Sequence, residues 1–142
     1  MPYDGAMFKG DLASGPRGAV RGMDSITQAD AAEDAGAIVV CGSHGGRSSG
    51  EFALAVPLAL VVFNDAGIGR DDAGIAALAM LDAQGRAAAT VSHDSARIGD
   101  AQDAWAQGRL SRVNAAAWAL GLREGAALAG ALLRLVGAVP SD

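Results

Sequence analysis

The chain has 142 residues, a formal charge of −5 at neutral pH and a pI near 4.8. Its single lysine, Lys9, stands against ten arginines, so the basic stripe that follows a phosphate backbone is missing and nucleic acid is not an expected partner. A lone Cys41 rules out an intrachain disulfide framework and a cysteine-rich zinc site, and residues 1–8 lack the basic and apolar regions of a secretory signal, so a cytoplasmic location is expected.

Residues 1–23 carry five glycines and no sustained periodicity, which predicts an irregular N-terminal arm. The rest, 24–142, reads as one α/β domain, the usual outcome for this length. Thr27 is a plausible N-cap, with Asp30 three residues on and Gly36 as a stop signal for a helix across 28–36. A first strand is expected at 37–41, and the segment from Arg47 to Leu54 begins a helix that ends before Pro57.

A second strand is expected at 58–63, a helix at 72–83 stopping near Gly85, and a third strand at 87–91. That alternation predicts a small three-layer fold on a mainly parallel sheet of at least three strands with right-handed crossovers. From Asp100 onward the chain reads as helix, at about 100–107, 111–120 with Ser111 as N-cap, and 124–135, so the C-terminal third is expected to be helical. Trp105 and Trp118 are expected as core anchors of these helices. Arg123, Glu124 and Arg134 break the apolar stretch 115–139, leaving it too short for a bilayer core of about 30 Å, so no membrane span is expected.

The two histidines, His44 and His93, each follow a serine at the end of a predicted strand. If the strands are parallel, the loops after 41, 63 and 91 converge on one sheet edge, the usual position of a site in an open α/β sheet. In the first loop, Ser43, Gly45 and Gly46 offer a turn with exposed N–H groups before a helix N-terminus, a setting for a carboxylate, phosphate or oxyanion. It is not a Walker loop, because the lysine is missing and the spacing is wrong.

In the second loop, Asn64 and Asp65 stand at the strand end. Gly67-Ile68-Gly69 fails the dinucleotide fingerprint because its third glycine position holds Asp72, and an aspartate there repels a pyrophosphate. In the third loop, His93 is the natural general acid or base, Asp65 is placed to orient it, and Arg97 is placed to clamp a carboxylate with Ser92 and Ser95 beside it. Cys41 belongs to an apolar strand and reads better as a buried structural thiol than as a nucleophile. His44, His93 and Asp65 are types found in two-histidine, one-carboxylate metal sites, but no ligand pair at helical spacing supports one.

These features predict a metal-independent enzyme, without cofactor, acting on an acidic small molecule. The catalytic residues are expected to be His93, His44 and Asp65, and the chemistry of isomerase, lyase or hydrolase type. No Gly-x-Ser-x-Gly elbow is present, which favours proton transfer on carbon over a serine nucleophile. The alternative is a non-catalytic ligand-binding or regulatory subunit that docks through its C-terminal helices. The apolar character of those helices also predicts a homo-oligomer.

Overall fold

The apolar runs expected as strands form the centre of one sheet. A computed structural model describes residues 7–139. Six strands lie in sequence order: β1 (Lys9–Gly15), β2 (Gly18–Met23), β3 (Ile38–His44), β4 (Leu60–Asn64), β5 (Ala87–Val91) and β6 (Leu110–Val113). The pairs β2–β3, β3–β4 and β4–β5 are parallel, while β1–β2 and β5–β6 are antiparallel. This is an α/β fold with a mainly parallel sheet.

Side chains alternate across the central strands and so feed two apolar cores. Val39, Cys41, Val61, Phe63 and Ala88 face one side, where Ala53 of α2 (Arg47–Leu54) and Ala77, Leu78 and Leu81 of α3 (Ala76–Asp82) cover them. Val40, Leu60, Val62, Ala89 and Val91 face the other. That side is covered by α4 (Ala101–Gln107), α5 (Ala115–Ala119) and α6 (Leu128–Val136), which contribute Ala104, Ala117, Leu128 and Leu132. Central strands buried on both faces explain why these runs read as continuously apolar. Among the described residues, no helix is long and apolar enough to cross a membrane.

The structure corrects the N-terminal expectation. Residues 9–23 form the β1–β2 hairpin in place of an irregular arm, and residues 1–6 lie outside the described range. The glycines there are sites of close approach as well as turn residues. A Cβ on Gly15 would strike the Val136 carbonyl at the end of α6. The next segment also differs: Ser25, not Thr27, caps a 3-10 turn at Ile26–Gln28 through a capping box, and Asp30 caps the short α1 (Ala31–Asp34).

The C-terminal third is only roughly helical, because β6 interrupts it. Ser111, expected as an N-cap, lies in that strand with its hydroxyl 2.9 Å from that of Thr90 on β5. The cap is Asn114, whose buried side chain accepts from Ala88 N–H and Ala117 N–H and donates to the Leu78 and Arg86 carbonyls. Four hydrogen bonds from one side chain fix where strand becomes helix. The expected helix at 124–135 begins later, at Leu128, after a loop in which Gly121 and Gly125 have positive φ. Trp118 is not a core anchor: it is 55% exposed, and the Arg123 guanidinium lies 3.3 Å from its ring centroid. Trp105 does pack against the core.

Candidate functional site

β3, β4 and β5 end at the same edge, but β3 runs on irregularly. Val40 pairs with Val62 and the next pair is His44 with Asn64, so β3 uses four residues where β4 uses two. The extra length extrudes Gly42 and Ser43. Gly42 donates its N–H to the Asp24 carbonyl and accepts from Gly99 N–H, and a Cβ there would strike the Gly99–Asp100 backbone. The Ser43 hydroxyl accepts from Ile26 N–H at 2.9 Å.

Asp24, which the sequence did not single out, braces this edge from below. Its carboxylate accepts from Phe8 N–H at 2.8 Å and from Ala101 N–H at 3.0 Å, joining the start of the chain to α4. No local motif marks it, because its partners lie 16 and 77 residues away.

Asn64 ends β4, Asp65 follows it, and both are buried. Asn64 closes a turn by accepting from Ala66 N–H and holds the third loop by donating to the Ala96 carbonyl. Asp65 Oδ1 accepts from Gly67 N–H at 2.8 Å and from His93 N–H at 3.0 Å. The same oxygen stands 3.6 Å from His93 Nδ1, while Nε2 is 3.3 Å from the exposed carboxylate of Asp94. The His93 side chain is 47% exposed. Its ring lies over Gly67, where a Cβ would stand 3.4 Å from Cε1. A half-exposed imidazole is therefore held between two carboxylates, with the buried one anchored by two backbone donors.

The segment between β4 and α3 is conformationally strained. Ala66, Ile68, Asp71 and Asp72 all have positive φ, from 50° to 69°. Ile68 is the most unfavourable of these because its β-branch crowds the backbone in this region. Such residues cost about 1–3 kcal/mol each and gather at functional sites. The expected helix at 72–83 is accordingly shortened: the chain is kinked at Asp71 and Asp72, and regular α-helix begins only at Ala76 with α3.

The glycine loop is only partly open. Gly45 donates to the Asn64 carbonyl and accepts from Ala77 N–H, so its backbone is already bonded. Gly46 caps α2 with no side-chain hydrogen bond, leaving that helix terminus without a side-chain acceptor. The exposed His44 ring folds over Gly46, where a Cβ would come within 2.8 Å of Nε2. Ser92 and Ser95 bond each other, and the Ser95 hydroxyl also accepts from Arg109 N–H at 3.0 Å. Arg97 donates its backbone N–H to Asp103, and its residue is exposed.

The structure thus brings Asp65 and His93 together and adds Asp94. Ser43, Asn64, Gly45 and Ser95 bond the protein itself, whereas His44 and Arg97 are exposed and Gly46, at the start of α2, is buried beneath the His44 ring. Cys41 is buried with Sγ 3.4 Å from the Val62 carbonyl, and burial pushes its thiol up to about 12. Among the described residues, no three His, Cys, Asp or Glu side chains converge to hold a metal ion. Fold and edge together define a small three-layer α/β protein. No protein family, curated protein or solved structure matches the chain.

Proposed function

We propose that the strand-end edge binds a carboxylate- or phosphate-bearing small molecule and that His93 moves a proton on it, as a metal-independent isomerase, lyase or hydrolase. The observation that carries this reading is the His93 imidazole, half-exposed at the end of a parallel sheet with the buried, backbone-anchored Asp65 carboxylate beside Nδ1. The buried Asp65 carboxylate flanks Nδ1 and the exposed Asp94 carboxylate lies beside Nε2, so acid/base work by His93 runs through Nε2 once Asp94 turns aside. The uncapped start of α2, with its partial positive charge, and Arg97 hold the anion, and His44 over Gly46 is the second proton carrier. The hydroxyls of Ser43 and Ser95 already bond backbone groups, which favours proton transfer on carbon over a serine nucleophile.

A thermal-shift screen with succinate, citrate, inorganic phosphate and pyrophosphate on wild type, His93→Ala and His44→Ala tests it. Stabilisation of wild type that is lost in one or both variants supports the site; equal stabilisation of all three proteins, or of none, argues against it.

A second reading, a non-catalytic regulatory or homo-oligomeric subunit, is favoured by the exposure of Trp118 and Leu120 on the C-terminal helical layer. These are apolar side chains that a partner would cover. Under that reading ligand binding survives His93→Ala, and the mass in solution exceeds that of one chain.

A further inference from the structure

A groove of about 710 Å³ opens on the α5–α6 side of the sheet, and none of its lining residues belongs to the three strand-end loops. Leu120, Leu122 and Leu135 give it apolar walls, and the charged residues among its described lining are Arg17, Arg123 and Arg134. Three guanidinium groups around one concavity are unexpected in a chain of charge −5, and none of them forms an ion pair among the described residues.

Two of the three are fixed from behind. Arg17 donates through Nε and Nη2 to the Leu135 and Arg134 carbonyls at the end of α6. Arg123 donates through Nη1 to the Trp118 and Leu122 carbonyls while its plane lies over the Trp118 ring. Arg134 makes no side-chain hydrogen bond among the described residues. It folds back along α6, with both terminal nitrogens 3.9 Å from where a Cβ on Gly130 would stand. Guanidinium groups immobilised by main-chain carbonyls lose little entropy on meeting an oxyanion, and their planar forks match phosphate oxygens.

We propose that this groove is a binding site for a phosphomonoester whose organic body lies against the leucines. Three cations match a dianionic phosphate better than a single carboxylate, and the volume falls in the range of about 300–1,000 Å³ usual for small-molecule sites. The site is separate from the histidine edge and does not depend on it.

The test is calorimetric titration of phenyl phosphate at low salt into wild type, Arg134→Gln and Arg112→Gln. Arg134 is exposed and its side chain makes no hydrogen bond or ion pair among the described residues, so its replacement is expected to keep the fold; Arg112, on the exposed part of β6, controls for general charge. The expected result is affinity about tenfold or more weaker in Arg134→Gln and unchanged in Arg112→Gln. Sedimentation with phosphatidic acid vesicles, against phosphatidylcholine vesicles, locates the source: capture that depends on Arg134 puts the phosphate on a lipid, and titration without capture puts it on a free metabolite. Absence of binding in both assays overturns the proposal. So does equal weakening by the two substitutions, which marks general charge attraction only.

Discussion

The Asp65 carboxylate accepts the backbone N–H of His93 at 3.0 Å while its oxygen stands 3.6 Å from that residue's own Nδ1. One buried side chain therefore fixes the loop after β5 and defines the surroundings of its imidazole. Asp65→Ala should leave the Gly67 and His93 donors without this acceptor and lower stability by about 1–3 kcal/mol in urea denaturation. Asp65→Asn, which keeps an acceptor oxygen, should recover most of that loss while removing the charge beside His93. Equal stability of wild type and Asp65→Ala would refute the clamp.

Asp34, fully buried, joins Lys9 and Arg21 at 3.1 Å each. Burial pushes its carboxyl up, but the Asp30 N–H and the Lys9 and Arg21 cations outweigh it and hold the group below the usual carboxylate range. A carboxyl lowered on folding gives stability that is complete above its unfolded value, near 3.8, and lost as pH falls through the lower folded value. Asp34→Asn should flatten this acid limb of the stability profile. At pH 7 it should cost about 2 kcal/mol, less than a wholly buried pair because both cations keep about a fifth of their exposure. An unchanged acid limb would contradict this account.

Asn114 satisfies four backbone partners at the junction of β6 and α5. Asn114→Ala should cost at least about 2 kcal/mol through lost capping and buried unpaired groups, read as a lower urea midpoint with unchanged slope.

Gly42 is held where a side chain would meet backbone on both sides, at Asp24 and at Gly99–Asp100. Gly42→Ala should destabilise by about 1–3 kcal/mol and should also loosen the His44 end of β3, measured as faster amide exchange from Ser43 to Gly46. Retained exchange protection there would show that the bulge adapts.

With its thiol pushed up to about 12 by burial, Cys41 should not react with an aromatic disulfide at pH 8 in the native protein, and should react stoichiometrically in guanidinium. Rapid native labelling would show an accessible thiol.

The sequence made the parallel centre legible because Val39–Val40, Val61–Val62 and Ala88–Ala89 are buried on both faces, and such strands read as unbroken apolar runs. Arg47–Leu54 and Ala87–Val91 coincide with expected elements. The edge strands were hidden for physical reasons. β1 and β2 are rich in glycines that admit close packing, as Gly15 does beneath α6, and glycine reads locally as a turn signal. β6 is four residues long, and Asn114 bonds that no local pattern encodes set its end. At the site, the Asp65–His93 proximity follows from strand order, so the sequence could suggest it. The internal commitments of Ser43, Asn64 and Ser95 follow from loop contacts across 17, 32 and 14 residues, which spacing does not show.

The histidine edge is tested most directly by amide NMR of wild type during titration with whichever small carboxylate or phosphate raises its Tm most. The account predicts shifts centred on Gly46, Arg47, Gly67 and His93 that disappear in His93→Ala. Shifts confined to the Arg17, Arg123 and Arg134 groove, or none, would contradict it.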